Sequence, residues 1–326
     1  MEKILDVKEL RTNFYTDEGV VKAVDGLSYH INKGECVGLV GESGCGKSVS
    51  AMSILRLIPY PPGVIEGGEI LFKGEDLLEV SEERIREVRG DRISMIFQEP
   101  STSLNPVLSI QRQLTETLEL HRGMKSKEAK AESVRLLDVV GIPDAERRVK
   151  DYPHQFSGGM QQRIMIAIAL SCNPDVIIAD EPTTALDVTV QAQILELIAE
   201  MRERLGTAVL IITHNLGVVA RYVERLNVMY AGSLVETGPT DEIYANPKHP
   251  YTIGLLRSVP RLDKPRTEVT EVIEGMPPNL AHLPAGCRFA ERCSFVMDQC
   301  REEKPVLAEV SEGHFRACFY DADKLS

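Results

Sequence analysis

The chain has 326 residues, of which 43% are hydrophobic and 26% charged, and its formal net charge at pH 7 is −12. This is a globular mixture, long enough for a full α/β core with a smaller region attached, and it excludes a disordered or membrane-embedded chain. Lys and Arg are spread along an acidic sequence, which excludes nucleic acid as the main partner because a phosphate backbone needs a basic footprint.

Taken in chain order, Leu5–Leu10, Gly26–Ile31 and Cys36–Val40 read as strands. The last is an apolar run between Gly34 and Gly41, the pattern of a buried parallel strand feeding a tight turn. Lys47–Leu57 has helical spacing and is stopped by Pro59, Pro61 and Pro62. Glu69–Phe72 and Ile93–Phe97 read as further strands. From Ser101 to Gln155 the pattern is helical and polar, with an amphipathic helix predicted over Ser126–Val140 and closed by Gly141. Strand Val176–Ala179, helix Val190–Leu205 and strand Ala208–Thr213 complete the alternation. A mostly helical insert, about residues 101–160, is therefore expected inside a P-loop α/β core. Beyond Glu236 the prolines at 239, 247, 250, 260, 265, 277, 278 and 284 break periodicity, so residues 238–326 read as a loop-rich appendage.

Gly41-Glu42-Ser43-Gly44-Cys45-Gly46-Lys47-Ser48 matches the phosphate-binding loop, and it lies between a predicted strand and a predicted helix. Its glycines let successive N–H groups face one concavity at a helix N-terminus, where phosphate oxygens bind. Lys47 is expected on the β- and γ-phosphates of ATP and Ser48 on Mg²⁺, with Val49 also counted among the nucleotide-binding residues. In Val176-Ile177-Ile178-Ala179-Asp180-Glu181 two carboxylates end an apolar strand, where α/β folds place ligands. Asp180 suits the water shell of Mg²⁺, and Glu181 suits proton abstraction from an attacking water.

Phe156-Ser157-Gly158-Gly159-Met160-Gln161-Gln162-Arg163 resembles the signature of the ABC ATPases, with Phe and Met where Leu and Gln are usual. Other elements resemble that family in order: Gln98 the Q-loop glutamine, Ala185-Leu186-Asp187 the D-loop, and His214 the switch histidine. Tyr15 resembles the aromatic that stacks on adenine, with Phe14 a competing choice. The resemblance covers Ile4 to about Glu236. It implies a RecA-like core with an antiparallel β subdomain and a helical signature subdomain, together forming an ATPase domain over residues 1–237. It also implies that Gln98 joins Ser48 and Asp180 around Mg²⁺, and that Ser157, Gly158, Gly159 and Met160 complete the ATP site of a second subunit.

Asn246-Pro247-Lys248-His249-Pro250-Tyr251-Thr252, Leu255–Pro260 and Gly286–Cys293 resemble the C-terminal extension of dipeptide, oligopeptide and nickel importer ATPases. Ser48-Val49-Ser50 resembles the D-type rather than the F-type subunit of dipeptide systems. The implied assembly is a heterodimer of two ATPase subunits beneath two transmembrane permeases, supplied by an extracytoplasmic substrate-binding protein. No apolar run approaches bilayer length and Met1–Leu10 is too charged for a signal peptide, so the expected place is the cytoplasmic face of the membrane. Nickel or another small solute is the alternative cargo, and a soluble non-transport ABC ATPase the alternative role.

Four of the seven cysteines, Cys287, Cys293, Cys300 and Cys318, crowd the appendage. Without an export signal a disulfide framework is not expected. Five residues separate Cys287 from Cys293 and six separate Cys293 from Cys300, wider than the tight pairs of tetrathiolate zinc sites. With the family resemblance, this leads to the expectation of a [4Fe–4S] cluster, with Zn²⁺ as the alternative.

Overall fold

The computed structural model describes residues 2–184, 186–259 and 273–321. Ala185 of the D-loop stretch, Pro260, Pro265 and residues 322–326 lie outside the described residues. The chain forms two compact units. One comprises Leu5–His30, Cys36–Leu78 and Ile212–Ser326, and the other Met1–Ile4, Ile31–Glu35 and Glu79–Ile211. Strands and helices are numbered along the chain.

In the first unit, β1 (Lys3–Thr16) and β2 (Gly19–Asn32) form a hairpin that joins β4 (Gly63–Phe72) and β5 (Glu75–Asp76) in the order β2-β1-β4-β5. β1 is far longer than the predicted Leu5–Leu10, for a local reason. Glu9 sits at φ +47 and the pairing with β4 slips between Lys8 and Arg11. This extra residue moves the buried face from Leu5 and Val7 to Leu10 and Thr12, so simple alternation breaks where the strand continues.

β3 (Cys36–Val40) is buried at every position and pairs in parallel with β9 (Arg225–Tyr230). Its Val37, Leu39 and Val40 are wholly removed from solvent, each contributing about 1.5–3 kcal/mol of burial. Helix α1 (Lys47–Ile54) follows β3, and β10 (Ser233–Pro239) pairs antiparallel with β9. Residues after 238 then extend this sheet: β12 (His314–Arg316) pairs with β10, and β11 (Ala308–Ser311) with β12. Helices α9 (Leu216–Val219), α10 (Thr240–Ala245), α11 (Pro250–Arg257) and α12 (Asp298–Glu302) belong to the same unit.

A buried carboxylate holds the appendage to β10. Glu236 is 0% exposed and accepts from the Lys248 N–H at 2.6 Å, the His249 N–H at 3.0 Å and His314 Nε2 at 2.7 Å. Such a group is tolerated inside only because its oxygens are paired. His249 in turn caps α11, its Nδ1 accepting from the Tyr251 N–H at 3.1 Å.

In the second unit, β6 (Ile93–Ile96) pairs in parallel with β7 (Val176–Asp180), and β8 (Ala208–Thr213) is the next strand in the order. α2 (Glu82–Val88) starts on a Ser81 cap that accepts from the Arg84 N–H. α3 (Pro100–Ser103), α4 (Ile110–Arg122), α5 (Ser126–Val139) and α6 (Ala145–Arg148) form the helical region, ahead of α7 (Gly158–Leu170) and α8 (Val188–Leu205). Amphipathic α4 and α5 bury Leu114, Leu118, Leu136 and Leu137 against each other and α7. The architecture is α/β, with parallel strands, an antiparallel sheet and a helical region.

Burial lowers the pKa of His249 from its ordinary value near 6.5 to about 4. The folded chain must keep this ring neutral where the unfolded chain protonates it, so stability should fall as pH drops from 6.5 towards 4. Replacing His249 by Asn keeps a capping acceptor and removes the titration. Thermal melts of His249→Asn should show a shallower loss across this window than the unmodified chain, with similar stability at pH 8.

Candidate functional site

The phosphate loop runs from the end of β3 into α1. A Cβ on Gly41 would lie 2.2 Å from the Met229 carbonyl, and one on Gly46 2.1 Å from the Ala23 carbonyl, so only glycine fits at either position. Gly44, by contrast, faces open space and is exposed with Ser43. Lys47 is 4% exposed, and its Nζ donates to Gly41 O at 2.8 Å and Glu42 O at 2.9 Å. The ammonium therefore sits inside the loop rather than in solvent. Cys45 is buried 3.8 Å from that Nζ, while Ser48 and Val49 are half-buried in the first turn of α1.

The carboxylates lie in the other unit, at the end of β7, with Asp180 5% and Glu181 8% exposed. Glu181 has φ +46, a left-handed conformation uncommon outside glycine, Asn and Asp. Such backbone costs about 1–3 kcal/mol and is retained where the surroundings over-determine it. The surroundings here are visible: Gln98 Nε2 donates to Glu181 Oε2 at 2.9 Å and Thr184 Oγ1 to the same oxygen at 2.8 Å. The structure thus brings Gln98 and Glu181 together. Thr184 was not singled out in the sequence; a hydroxyl three residues after an acid is too common to signal a partner.

Ser157 precedes α7, and Ser157 and Gly158 are exposed while Gly159 and Met160 are half-buried. Phe156 is buried, with the Arg148 guanidinium 4.5 Å from its ring centroid, and Arg148 Nη1 lies 3.7 Å from Met160 Sδ. Both unusual residues of the signature therefore meet one arginine. Gln161 Nε2 donates to the Pro153 and Phe156 carbonyls, fixing the approach to α7. Asp187 caps α8, accepting from the Val190 N–H at 3.0 Å, and Gln191 Nε2 holds the Thr183 and Leu186 carbonyls.

His214 follows β8 and is exposed. Tyr15 is 52% exposed, its hydroxyl donating to Glu66 at 2.5 Å, whereas Phe14 packs on Gly63. The tyrosine ring is thus the more available of the two.

The expectation of a [4Fe–4S] cluster or Zn²⁺ on Cys287, Cys293, Cys300 and Cys318 is corrected by the structure. Among the described residues, no group of three or more His, Cys, Asp or Glu side chains is placed to hold a metal ion. The four cysteines line one cavity, but they share it with Phe289, Phe295 and Tyr320. Burial pushes the thiols of Cys287 and Cys318 up, and that of Cys293 to about 11. Protonated thiols in such a setting pack as small apolar groups rather than as thiolate ligands.

Comparison with known proteins fits this arrangement. Residues 24–184 match the ABC transporter family model, and residues 235–300 match the oligopeptide/dipeptide transporter C-terminal region. The chain is 52% identical to a probable peptide ABC transporter ATP-binding protein of Sinorhizobium fredii, over 97% of this chain and 94% of that one. It is 51% identical to the dipeptide transport ATP-binding protein DppD of Bacillus subtilis, over 98% and 95%. The dimeric post-hydrolysis structure of the ATP-binding cassette MJ0796, bound to ADP and phosphate, superposes with a TM-score of 0.65 at 27% identity, over 72% of this chain and 98% of that one. The phosphate loop, the acid-ended strand, the signature stretch and the matched C-terminal region together place this chain in the ABC transporter ATP-binding proteins of the oligopeptide/dipeptide type.

Proposed function

We propose that this chain binds and hydrolyses ATP to drive import of di- and oligopeptides across a membrane. The observation that carries the reading is an intact phosphate loop and acid-ended strand in a chain whose tail matches the peptide-transporter C-terminal region. No helix among the described residues is long and apolar enough to cross a membrane, so permeation is assigned to partners. These partners are two permease subunits and a second ATPase subunit, with a substrate-binding protein delivering the peptide. The chain works at the cytoplasmic face.

In this reading the loop that runs from Gly41 through Glu42 to Ser48 holds the phosphates with its amides beyond Glu42 and with the Lys47 ammonium, and Tyr15 stacks on adenine. Ser48, Gln98 and Asp180 offer the hard oxygen donors that suit Mg²⁺, which would neutralise charge on the phosphates. Glu181 accepts the proton of the attacking water, its carboxylate oriented by Gln98 and Thr184. His214 stabilises charge on the γ-phosphate. Ser157 and Gly158, at an exposed helix start, serve the partner's nucleotide.

Glu181→Gln keeps the size of the side chain and removes the base. Nucleotide should still bind while phosphate release falls by about a hundredfold or more. Lys47→Ala should weaken nucleotide binding instead. Retained turnover in Glu181→Gln, measured by phosphate release, would take Glu181 out of the base role.

The signature must act in trans, so the isolated chain should hydrolyse ATP poorly. Sedimentation of Glu181→Gln should show ATP-dependent association, strongest when the second ATPase subunit is supplied. A strictly monomeric chain with full activity would contradict the proposal.

A further inference from the structure

Two side chains of the C-terminal extension reach the phosphate loop from outside it. Arg292, in a single 3₁₀ turn (Ala290–Arg292), has a side chain only 4% exposed. Its Nη1 and Nη2 donate to the two carboxylate oxygens of Glu42 at 2.6 and 2.9 Å. The remaining N–H groups go to the Tyr230 hydroxyl at 3.3 Å, the Ile273 carbonyl at 3.2 Å and the Glu274 carbonyl at 3.0 Å. All five guanidinium donors are thus used, which fixes the group in position and orientation. On the backbone side, the Glu42 N–H donates to the Tyr251 hydroxyl at 2.8 Å. Tyr251 is itself 0% exposed and packs with Tyr230 and Phe289, ring centroids 4.6 and 5.4 Å away.

Glu42 is therefore held at both its carboxylate and its amide by residues about 210–250 positions later in the chain. Its carbonyl oxygen meanwhile accepts from Lys47 Nζ at 2.9 Å. One residue links the tail to the lysine of the phosphate site. A bidentate ion pair and a buried hydroxyl are more than tail attachment needs, because that is already supplied elsewhere. Arg288 ion-pairs with Asp25 and donates to the Ala231 carbonyl, and Glu236 anchors α11 and β12.

We propose that the C-terminal extension is a positioning element of the phosphate loop, with Arg292 and Tyr251 as its positioning residues. Nucleotide affinity then depends on the docked tail, and a change at the 3₁₀ turn reaches the ATP phosphates through Glu42. This rests on the assignment of residues 41–48 to the phosphates.

The test is MgATP binding by calorimetry to the full chain, in the Glu181→Gln background to stop turnover. Arg292→Ala should weaken binding by about tenfold, because a pre-formed loop becomes one that must be ordered on binding. Arg292→Lys should recover only part of this, since it restores charge without the fork. With the base intact and the second ATPase subunit present, Arg292→Ala should raise KM for ATP while kcat is largely kept. Tyr320→Ala, which loosens the same tail where Tyr320 packs on Phe295 with ring centroids 5.0 Å apart, should lower Tm without changing affinity. Equal losses in Arg292→Ala and Tyr320→Ala, or none in Arg292→Ala, would overturn the proposal. If Arg292→Ala does not fold, Tyr251→Phe decides: a loss of about threefold, one hydrogen bond's worth, supports it, and unchanged affinity overturns it. Lys47→Ala reports separately on the phosphate-site assignment, because unchanged binding there would remove the site itself rather than its clamp.

Discussion

A buried ammonium needs acceptors, and in this chain Lys47 finds them in the carbonyls of the loop that precedes it. That requirement curls residues 41–46 tightly around the side chain, and the neighbouring backbone closes the space further. The Met229 and Ala23 carbonyls stand where Cβ atoms of Gly41 and Gly46 would lie. The long β1–β2 hairpin and the β3–β9 pairing exist in this unit as walls of that loop. The extension adds its own wall through Arg292 and Tyr251. The loop is thus defined by contacts from both sides, the Lys47 ammonium within and neighbouring backbone without.

The appendage shows how a proline-rich segment is held without a large core of its own. Its apolar contribution is a small aromatic group, Tyr251 and Phe289 against Tyr230 of β9. The rest is done by buried charged groups whose hydrogen bonds are met: Glu236 with three donors, and the side chains of Arg288 and Arg292 with carboxylates and carbonyls. Truncating one member of a buried pair strands the other, at roughly 3–5 kcal/mol, so these contacts specify where the tail docks. The four cysteines line a cavity together with Phe289, Phe295 and Tyr320.

In the other unit a left-handed backbone position is accompanied by side-chain support. Glu181 leaves a fully buried strand in a left-handed conformation, and its carboxylate is caught by Gln98 and Thr184. The turn that follows is stiffened by Gln191 and by the Asp187 cap. Near the signature, Arg148 covers Phe156 and touches Met160, so the two departures from the common motif share one support.

Much was legible from residues alone. The phosphate loop is a local backbone pattern, and the run Val176–Ala179 followed by two acids is a local pattern as well, so short-range spacing identifies both. β3, α5 and β8 were legible because their periodicity is unbroken and their ends carry clear stops. β1 was cut short because a left-handed Glu9 reverses the alternation halfway along. The cysteine cluster misled because proximity in sequence reveals neither the protonation of the thiols nor what shares their cavity. The sequence by itself determined the nucleotide chemistry and the family, since both are written in contiguous motifs. Only the tertiary structure decided that Thr184 supports Glu181 and that Arg292 and Tyr251 grip Glu42. A hydroxyl three residues after an acid is too common to mark a partner, and a buried ion pair across 250 positions leaves no periodic trace along the chain.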